Sequence, residues 1–323
     1  MNASSPLNEI CLRLRFLIDE AVKRNLADGI LLSGGLDTSI LAATASRLAP
    51  LKAFTVALQG APAPDIKYAT LMANNLRLGH IVHYFDRSEL YDAVRRVVEL
   101  MESFDPMEVR NSVAIYIGLK RAKEEGVSTV MTGDGCDELF AGYSFLFNLE
   151  RERLDSELRK LWGVMSFSSE RLAKAFSVEV KLPYLDPDLK SFAMRLDSQY
   201  KVRDKRGRRW GKWVLRKAFE DVLPEEIVWR VKAPIEEGSG TTILPGLFSR
   251  EIPDAEFEEK RMKYLEKDKV TIRDKEQLFY YDAYRAALGA PHPINLKGKT
   301  CPQCNSNVAE NATYCRTCGA YPI

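Results

Sequence analysis

Two short loops hold most of the chemistry this sequence can offer. Ser33-Gly34-Gly35-Leu36-Asp37-Thr38-Ser39 follows the apolar run Ile30-Leu31-Leu32 and leads into a helical stretch from Thr38 to Leu48. Glycines let a backbone approach an anion closely. Unpaired N–H groups at a helix N-terminus, reinforced by the helix dipole, attract phosphate. The hydroxyls of Ser33, Thr38 and Ser39 can donate to the same oxygens. Asp37 is out of place beside a phosphate unless Mg²⁺ lies between them. The heptapeptide lacks the Gly-Lys-Ser/Thr ending of a Walker A loop. The second loop is Thr132-Gly133-Asp134-Gly135-Cys136-Asp137-Glu138-Leu139-Phe140-Ala141-Gly142-Tyr143, after the short run Thr129-Val130-Met131. Asp134, Asp137 and Glu138 would repel one another unless a bound cation relieves them. A plain packing turn does not explain the full heptapeptide. An acidic solvated turn does not explain the Leu-Phe-x-Gly-Tyr tail.

A third cluster lies at the C-terminus. Of six cysteines, four fall in the last 23 residues, as Cys301-Pro302-Gln303-Cys304 and Cys315-Arg316-Thr317-Cys318. Two such knuckles can supply four thiolates to a tetrahedral Zn²⁺, and a piece this small has too little core to fold without metal. A zinc ribbon is expected over 300–323. Its purpose stays open between an RNA or protein contact and a passive cap. Cys11 and Cys136 stand alone and read as core. His80, His83 and His292 have no ligand spacing.

These loops need elements to hold them. Ser5-Pro6 reads as an N-cap with proline in the first helical position. Leu7, Ile10, Leu14, Leu17, Ile18 and Ala21 then recur at helical spacing. Strands are expected at 30–32, 53–58, 80–85 and 129–131, and helices at 38–48, 65–78, 89–101 and 112–125. Alternation of this kind predicts an α/β fold, a parallel sheet with helices on both faces. From about residue 150 the pattern reads as mostly helical. Residues 1–290 are expected to form one domain, 291–299 a linker, and 300–323 the ribbon.

The loops resemble those of a known family. Ser33 to Ser39 is similar to the pyrophosphate loop of the N-type ATP pyrophosphatases, which cleave ATP between its α and β phosphates. Thr132 to Tyr143 resembles the Gly-Glu/Asp-Gly-x-Asp-Glu-Leu-Phe-Gly-Gly-Tyr signature of the synthetase domain of asparagine synthetases. The likeness continues through Glu102-Ser103-Phe104-Asp105 with Arg110, through Glu179 to Asp186, Lys212 to Phe219, Leu223 to Ile227, and Trp229 to Lys232 with Gly238-Ser239-Gly240. It implies an adenine-nucleotide alpha-hydrolase-like fold and an ATP-dependent carbon–nitrogen ligase that forms AMP. By the same likeness, Asp37 and Asp137 bind Mg²⁺ on the ATP phosphates, Lys212 donates to those phosphates from a helix, and Lys232 stabilises charge near the reacting carboxyl. Asp134 accepts protons from the incoming amine, where many relatives carry the longer Glu. Leu31, Val56 and Gly133 fall where the family holds adenine. Lys212 and Lys232 stand out only through this register, since an isolated lysine is ordinarily a solvated surface charge.

The family's glutaminase domain begins with a Cys directly after the initiator Met. Here residue 2 is Asn and the phosphate loop begins by residue 33. Ammonia is therefore expected from solution, from a separate glutaminase subunit, or to be replaced by another amine. The carboxylate is aspartate or a related acid. The competing expectation is an enzyme that adenylates a tRNA base, with the ribbon and the basic 201–213 segment touching RNA. The plainer reading of that segment is a solvated basic loop. A third reading, an ATP sensor without catalysis, does not need Asp37, Asp137 and Lys232 together. Charge is near balance, with 47 Lys and Arg against 45 Asp and Glu, so the whole chain is not marked as a nucleic-acid binder. No apolar run approaches the ~18 residues of a membrane helix, no signal-peptide core is visible, and the clustered cysteines suit a reducing compartment. A cytoplasmic location is expected.

Overall fold

The computed structural model describes residues 6–205, 207–295 and 297–323. The expected N-cap at Ser5 and Arg206 of the basic segment lie outside the described residues. The helices are α1 (Pro6–Arg24), α2 (Leu36–Ala45), α3 (Asp65–Leu76), α4 (Arg87–Met101), α5 (Pro106–Glu124), α6 (Cys136–Phe140), α7 (Arg151–Gly163), α8 (Ser168–Ala173), α9 (Pro187–Arg195), α10 (Trp213–Phe219), α11 (Glu225–Val228), α12 (Ile235–Ser239), α13 (Leu244–Glu251), α14 (Asp254–Asp268) and α15 (Lys275–Leu288). The strands are β1 (Gly29–Leu31), β2 (Lys52–Leu58), β3 (Gly79–Phe85), β4 (Thr129–Met131), β5 (Glu179–Lys181), β6 (Arg203–Lys205) and β7 (Arg208–Trp210).

Five strands form one sheet in the order β3-β2-β1-β4-β5. The pairs β1–β2, β1–β4 and β4–β5 run parallel, with Ile30 opposite Ala53 on one side and Met131 on the other. This is the α/β architecture expected from the alternation. The chain leaves β1 toward β2, then returns past β1 to place β4 on its other flank. Ligands bind at such a reversal, outside the carboxyl ends of the two strands. The two loops singled out in the sequence are the segments that follow β1 and β4.

The C-terminal half is mostly helical, as expected, with short strands added to it. Glu179–Lys181 adds a fifth parallel strand, and β6 pairs with β7 as an antiparallel hairpin. Glu-Val-Lys is too short and too polar to announce a strand, and the hairpin's charges conceal its alternation. The basic segment is likewise not a solvated loop throughout, because Lys201, Lys212 and Trp213 are buried. Two helix starts also move. Helix α5 begins at Pro106 rather than Ser112, and α2 begins at Leu36, which puts Asp37 in its first turn.

The chain divides into two compact units. The first comprises Met1–Thr55, Asp65–His83 and Gly118–Ala233, and the second Val56–Pro64, Tyr84–Ile117 and Pro234–Ile323. In the first, α1 buries Leu14, Leu17, Ile18, Ala21 and Val22, the i, i+3, i+4, i+7, i+8 face of an amphipathic helix. That face joins a core with Ile30, Ile40, Leu41, Met131, Phe140 and Val214. The second unit packs aromatic rings instead. Phe104 meets Tyr281 and Tyr284 edge-on at centroid distances of 4.9 and 5.1 Å, and Phe248 stacks on Phe279 at 4.4 Å. Among the described residues, no helix is long and apolar enough to cross a membrane.

Candidate active site

Gly34 is in the left-handed region at φ 66°, and a Cβ there would lie 2.3 Å from the backbone of Tyr68 and of Ala69. Only glycine fits both constraints. Gly35 then precedes α2 with extended backbone and no side-chain cap. The first N–H groups of α2 are left for a ligand, as phosphate binding requires. The loop is braced from below. Ser33 Oγ lies 3.1 Å from Thr38 Oγ1 and accepts from Gly35 N at 3.1 Å. Those two hydroxyls shape the loop. Ser39 Oγ is buried without a hydrogen-bond partner.

The second loop lies directly alongside. A Cβ on Gly133 would meet Asp37 Cβ and Thr38 Cγ2, each at 3.2 Å. Cys136 Sγ donates to Asp37 Oδ1 at 3.1 Å, and Tyr184 Oη donates to the Asp37 carbonyl at 3.1 Å. Burial, and after it the Asp37 charge, pushes the Cys136 thiol well above its usual range, so it stays protonated and inert.

Lys212 joins the two loops. Its Nζ lies 2.5 Å from Asp37 Oδ2 and 2.7 Å from Asp137 Oδ1, with its side chain almost fully buried. Lys232, from the irregular segment after α11, bonds Asp137 Oδ2 and lies 4.8 Å from the centre of the Tyr143 ring. Burial opposes charge on both members of the central pair, and mutual attraction outweighs it. Asp137 is held below the ordinary carboxylate range, and Lys212 above the ordinary lysine range. The expectation that Lys212 projects from a helix changes in one respect. It is the residue before α10, in the left-handed region at φ 54°, and its N–H donates to the Phe140 carbonyl at 3.0 Å. A non-glycine residue held there is strained, a feature that gathers at functional sites. Gly142 makes room for the pair, because a Cβ there would sit 1.7 Å from Asp137 Oδ1 and 2.4 Å from Lys212 Cε.

The described residues fit a divalent cation. Asp37 and Asp137 converge on one point, and Asp137 Oδ1 has a charged neighbour but no aligned hydrogen bond. Carboxylate oxygens of this kind suit Mg²⁺, which binds one or two carboxylates plus phosphate oxygens.

Asp134 points elsewhere. Its Oδ2 accepts from Thr132 Oγ1 at 2.9 Å and from Ser169 Oγ at 2.5 Å, and burial raises its pKa. Burial also raises Glu138, which accepts from Tyr143 Oη at 2.6 Å. Leu31 ends β1, Gly133 follows β4, and Val56 is a half-buried residue of β2.

Sequence reasoning missed Arg230. Its guanidinium donates to the Ser33 carbonyl at 2.8 Å and to Asp65 Oδ1 at 2.5 Å, over the Tyr68 ring at 4.1 Å. It braces the phosphate loop from behind. Its place two residues before Lys232 was the only available hint. Ser169 carried no signal.

The four tail cysteines are buried and free, and their sulfurs lie within 4.8 Å of one another. Cys301–Cys318 and Cys304–Cys315 are each 3.7 Å apart at sulfur. A tetrahedron with Zn–S of ~2.3 Å has edges of ~3.8 Å, so the arrangement fits zinc.

The family model described as asparagine synthase matches residues 13–164 and 158–297. An asparagine synthetase [glutamine-hydrolyzing] from Zea mays is 34% identical over 270 residues, 76% of this chain and 45% of that protein. Asparagine synthetase B [glutamine-hydrolyzing] from Escherichia coli (strain K12) is 31% identical over 278 residues, 78% of this chain and 50% of that protein. The chain thus spans about half the length of these relatives. Among solved structures, an NH3-dependent NAD synthetase from Campylobacter jejuni covers 69% of this chain and 99% of its own at 17% identity and a TM-score of 0.30.

Proposed function

Because the chain belongs to the asparagine synthase family, we propose that it is an ATP-dependent ligase that adenylates a carboxylate and transfers it to ammonia or another amine. The observation that carries this reading is the Asp37–Lys212–Asp137–Lys232 array at the reversal of the sheet. In the first step a carboxylate oxygen attacks the α-phosphorus of ATP. The bond to the β-phosphate bridging oxygen breaks, and pyrophosphate leaves. Negative charge grows on the phosphate oxygens, and preorganised cations lower that barrier. The uncapped start of α2 binds the phosphates, and Lys212 and Lys232 bring fixed positive charge to the same place. Mg²⁺, held by Asp37 and Asp137, would add Lewis-acid polarisation there.

In the second step the amine attacks the acyl carbon, the carbon–oxygen bond to AMP breaks, and the nitrogen loses a proton. The proposed acceptor is Asp134, which Thr132 and Ser169 hold outside the four-residue array and whose pKa burial raises from the ordinary carboxylate value. The carboxylate is aspartate or a close relative, and the nitrogen comes from free ammonia, another amine or a separate glutaminase subunit. Leu31 and Gly133 are the proposed adenine contacts of the first unit, and the proposed location is the cytoplasm.

The test is pyrophosphate release from Mg-ATP with ammonium and a panel of amino acids, with and without total tRNA. Release should require a carboxylate amino acid and fall by about 10²–10³ in Lys232→Ala, the loss typical of one transition-state charge contact. Release that needs tRNA instead would replace this reading with RNA adenylation.

A further inference from the structure

The ribbon spends its backbone on the rest of its own chain. Around the second knuckle, Phe104 N donates to the Thr317 carbonyl at 2.7 Å, and Ser103 Oγ to the Arg316 carbonyl at 2.8 Å. Arg273 donates to the Gly319 carbonyl at 3.0 Å and to the Cys318 carbonyl at 2.8 Å, which also accepts from Gln277 Nε2 at 2.8 Å. Tyr314 Oη bonds Asp105. At the first knuckle, Thr271 N donates to the Gln303 carbonyl at 2.8 Å. Gly319 sits so close that a Cβ would lie 2.2 Å from Asp105 Oδ1. Five knuckle carbonyls are therefore taken by the 103–105 turn and the 271–277 segment.

Charge points the same way. Residues 300–323 contain one Arg and one Glu. Four thiolates around Zn²⁺ would leave the centre at a formal charge of about −2, because zinc-ligating cysteines are deprotonated. A neutral peptide around an anionic centre gives no electrostatic footprint for a nucleic acid.

The two docked segments are each the entry to a helix, α5 after Asp105 and α15 after Asp274. Those helices meet one turn further in. Arg110 of α5 reaches Glu276 of α15 at 2.8 Å and Glu236 of α12 at 2.5 Å. We propose that the ribbon is an intramolecular, zinc-dependent staple: its occupied face is the 103–105 turn and the 271–277 segment, and its metal holds the first turns of α5 and α15, and through them Arg110, in register. This rests on zinc binding by Cys301, Cys304, Cys315 and Cys318.

The test uses the full chain, with metal content measured beside amide hydrogen exchange. In zinc-loaded protein, stripping the metal with a chelator should speed exchange across 103–110 and 273–278 by about tenfold or more, and leave 33–39 unchanged. The double variant Arg273→Ala/Gln277→Ala replaces no zinc ligand and removes the side-chain bonds to the Cys318 and Gly319 carbonyls. It should keep one zinc per chain and still lose protection at 103–106. The proposal is overturned if 103–110 and 273–278 keep their protection in stripped protein while 300–323 melts. It is equally overturned if total tRNA protects 300–323 in the loaded protein, which would make RNA the ribbon's partner. A purified chain that holds no zinc would also overturn it, and the metal analysis separates that failure from a ribbon that binds zinc but staples nothing.

Discussion

At the phosphate loops, two carboxylates are held against two lysines that the chain itself supplies. In the ribbon, four cysteine sulfurs face one another, and the charge that would balance four thiolates has to come from a metal. The first arrangement is preorganised: Asp137 stays ionised and Lys212 stays charged because each stabilises the other. The second is conditional on the proposed zinc, since its folding free energy would then be its metal-binding free energy. A site that must receive a polyanion and release it again benefits from fixed charge that needs no reordering. A staple benefits from a bond that is made once.

The largest effect that would break this contrast lies in the ribbon. Cys304→Ser removes one of four ligands from a site whose apparent binding is worth about 10–16 kcal/mol. Metal analysis should find less than one zinc per chain, and the amides of 300–323 should exchange freely. Full zinc retention in this variant would mean that the cluster is not the ligand set.

Next comes Lys212→Met at the loops. Removing one partner of a buried ion pair typically costs about 3–5 kcal/mol, because the remaining charges are left uncompensated. Asp37 and Asp137 would then face each other. Denaturant unfolding should show a loss of that order, and added Mg²⁺ should recover part of it if the carboxylates bind the ion. A loss below about 1 kcal/mol, the range of an exposed pair, would contradict a preorganised core to the site.

Between these extremes stands Glu276, where one guanidinium serves two acids. Burial raises its carboxyl from the usual 4.5 to about 7, against the opposing pull of its bond from Tyr280 and of Arg110. A pKa raised in the folded state means that folding binds the proton more tightly. Its stabilising contribution is complete below pH 4.5 and is lost as pH rises through about 7. Urea midpoints for Glu276→Gln should therefore vary less between pH 4.5 and 7 than those of the parent chain. Equal slopes in the two proteins would assign the pH dependence to other groups.

The smallest effect sharpens the comparison at the end of the second loop. Ala141 stands where the resembling signature has the first of two glycines, and it is in the left-handed region at φ 56°. Ala141→Gly relieves that strain but also deletes a fully buried methyl packed on Leu146, Leu154 and Leu158, so the unfolding midpoint should shift by less than the equivalent of about 1 kcal/mol.

Much of this could be read from the sequence. The loops after β1 and β4 declared themselves by composition and position, and the two cysteine knuckles by spacing alone. What escaped depended on partners far along the chain. β5 is three residues long, and its place in the sheet follows from pairing with β4 rather than from its own pattern. Arg230 looks like any basic residue until Ser33, Asp65 and Tyr68 surround it. The hydroxyls of Ser33 and Thr38 read as phosphate donors, yet they are engaged with each other. The ribbon was legible as a candidate metal site, whereas its face against 103–105 and 271–277 spans 213 residues of sequence in one contact. No local pattern encodes that.

The central claim concerns which bond of ATP is cut. Incubating the chain with α-labelled Mg-ATP, ammonium and the carboxylate that supports turnover, then separating the labelled products, decides it directly. The proposed adenylation predicts labelled AMP with an equal amount of pyrophosphate. Labelled ADP with inorganic phosphate would contradict it.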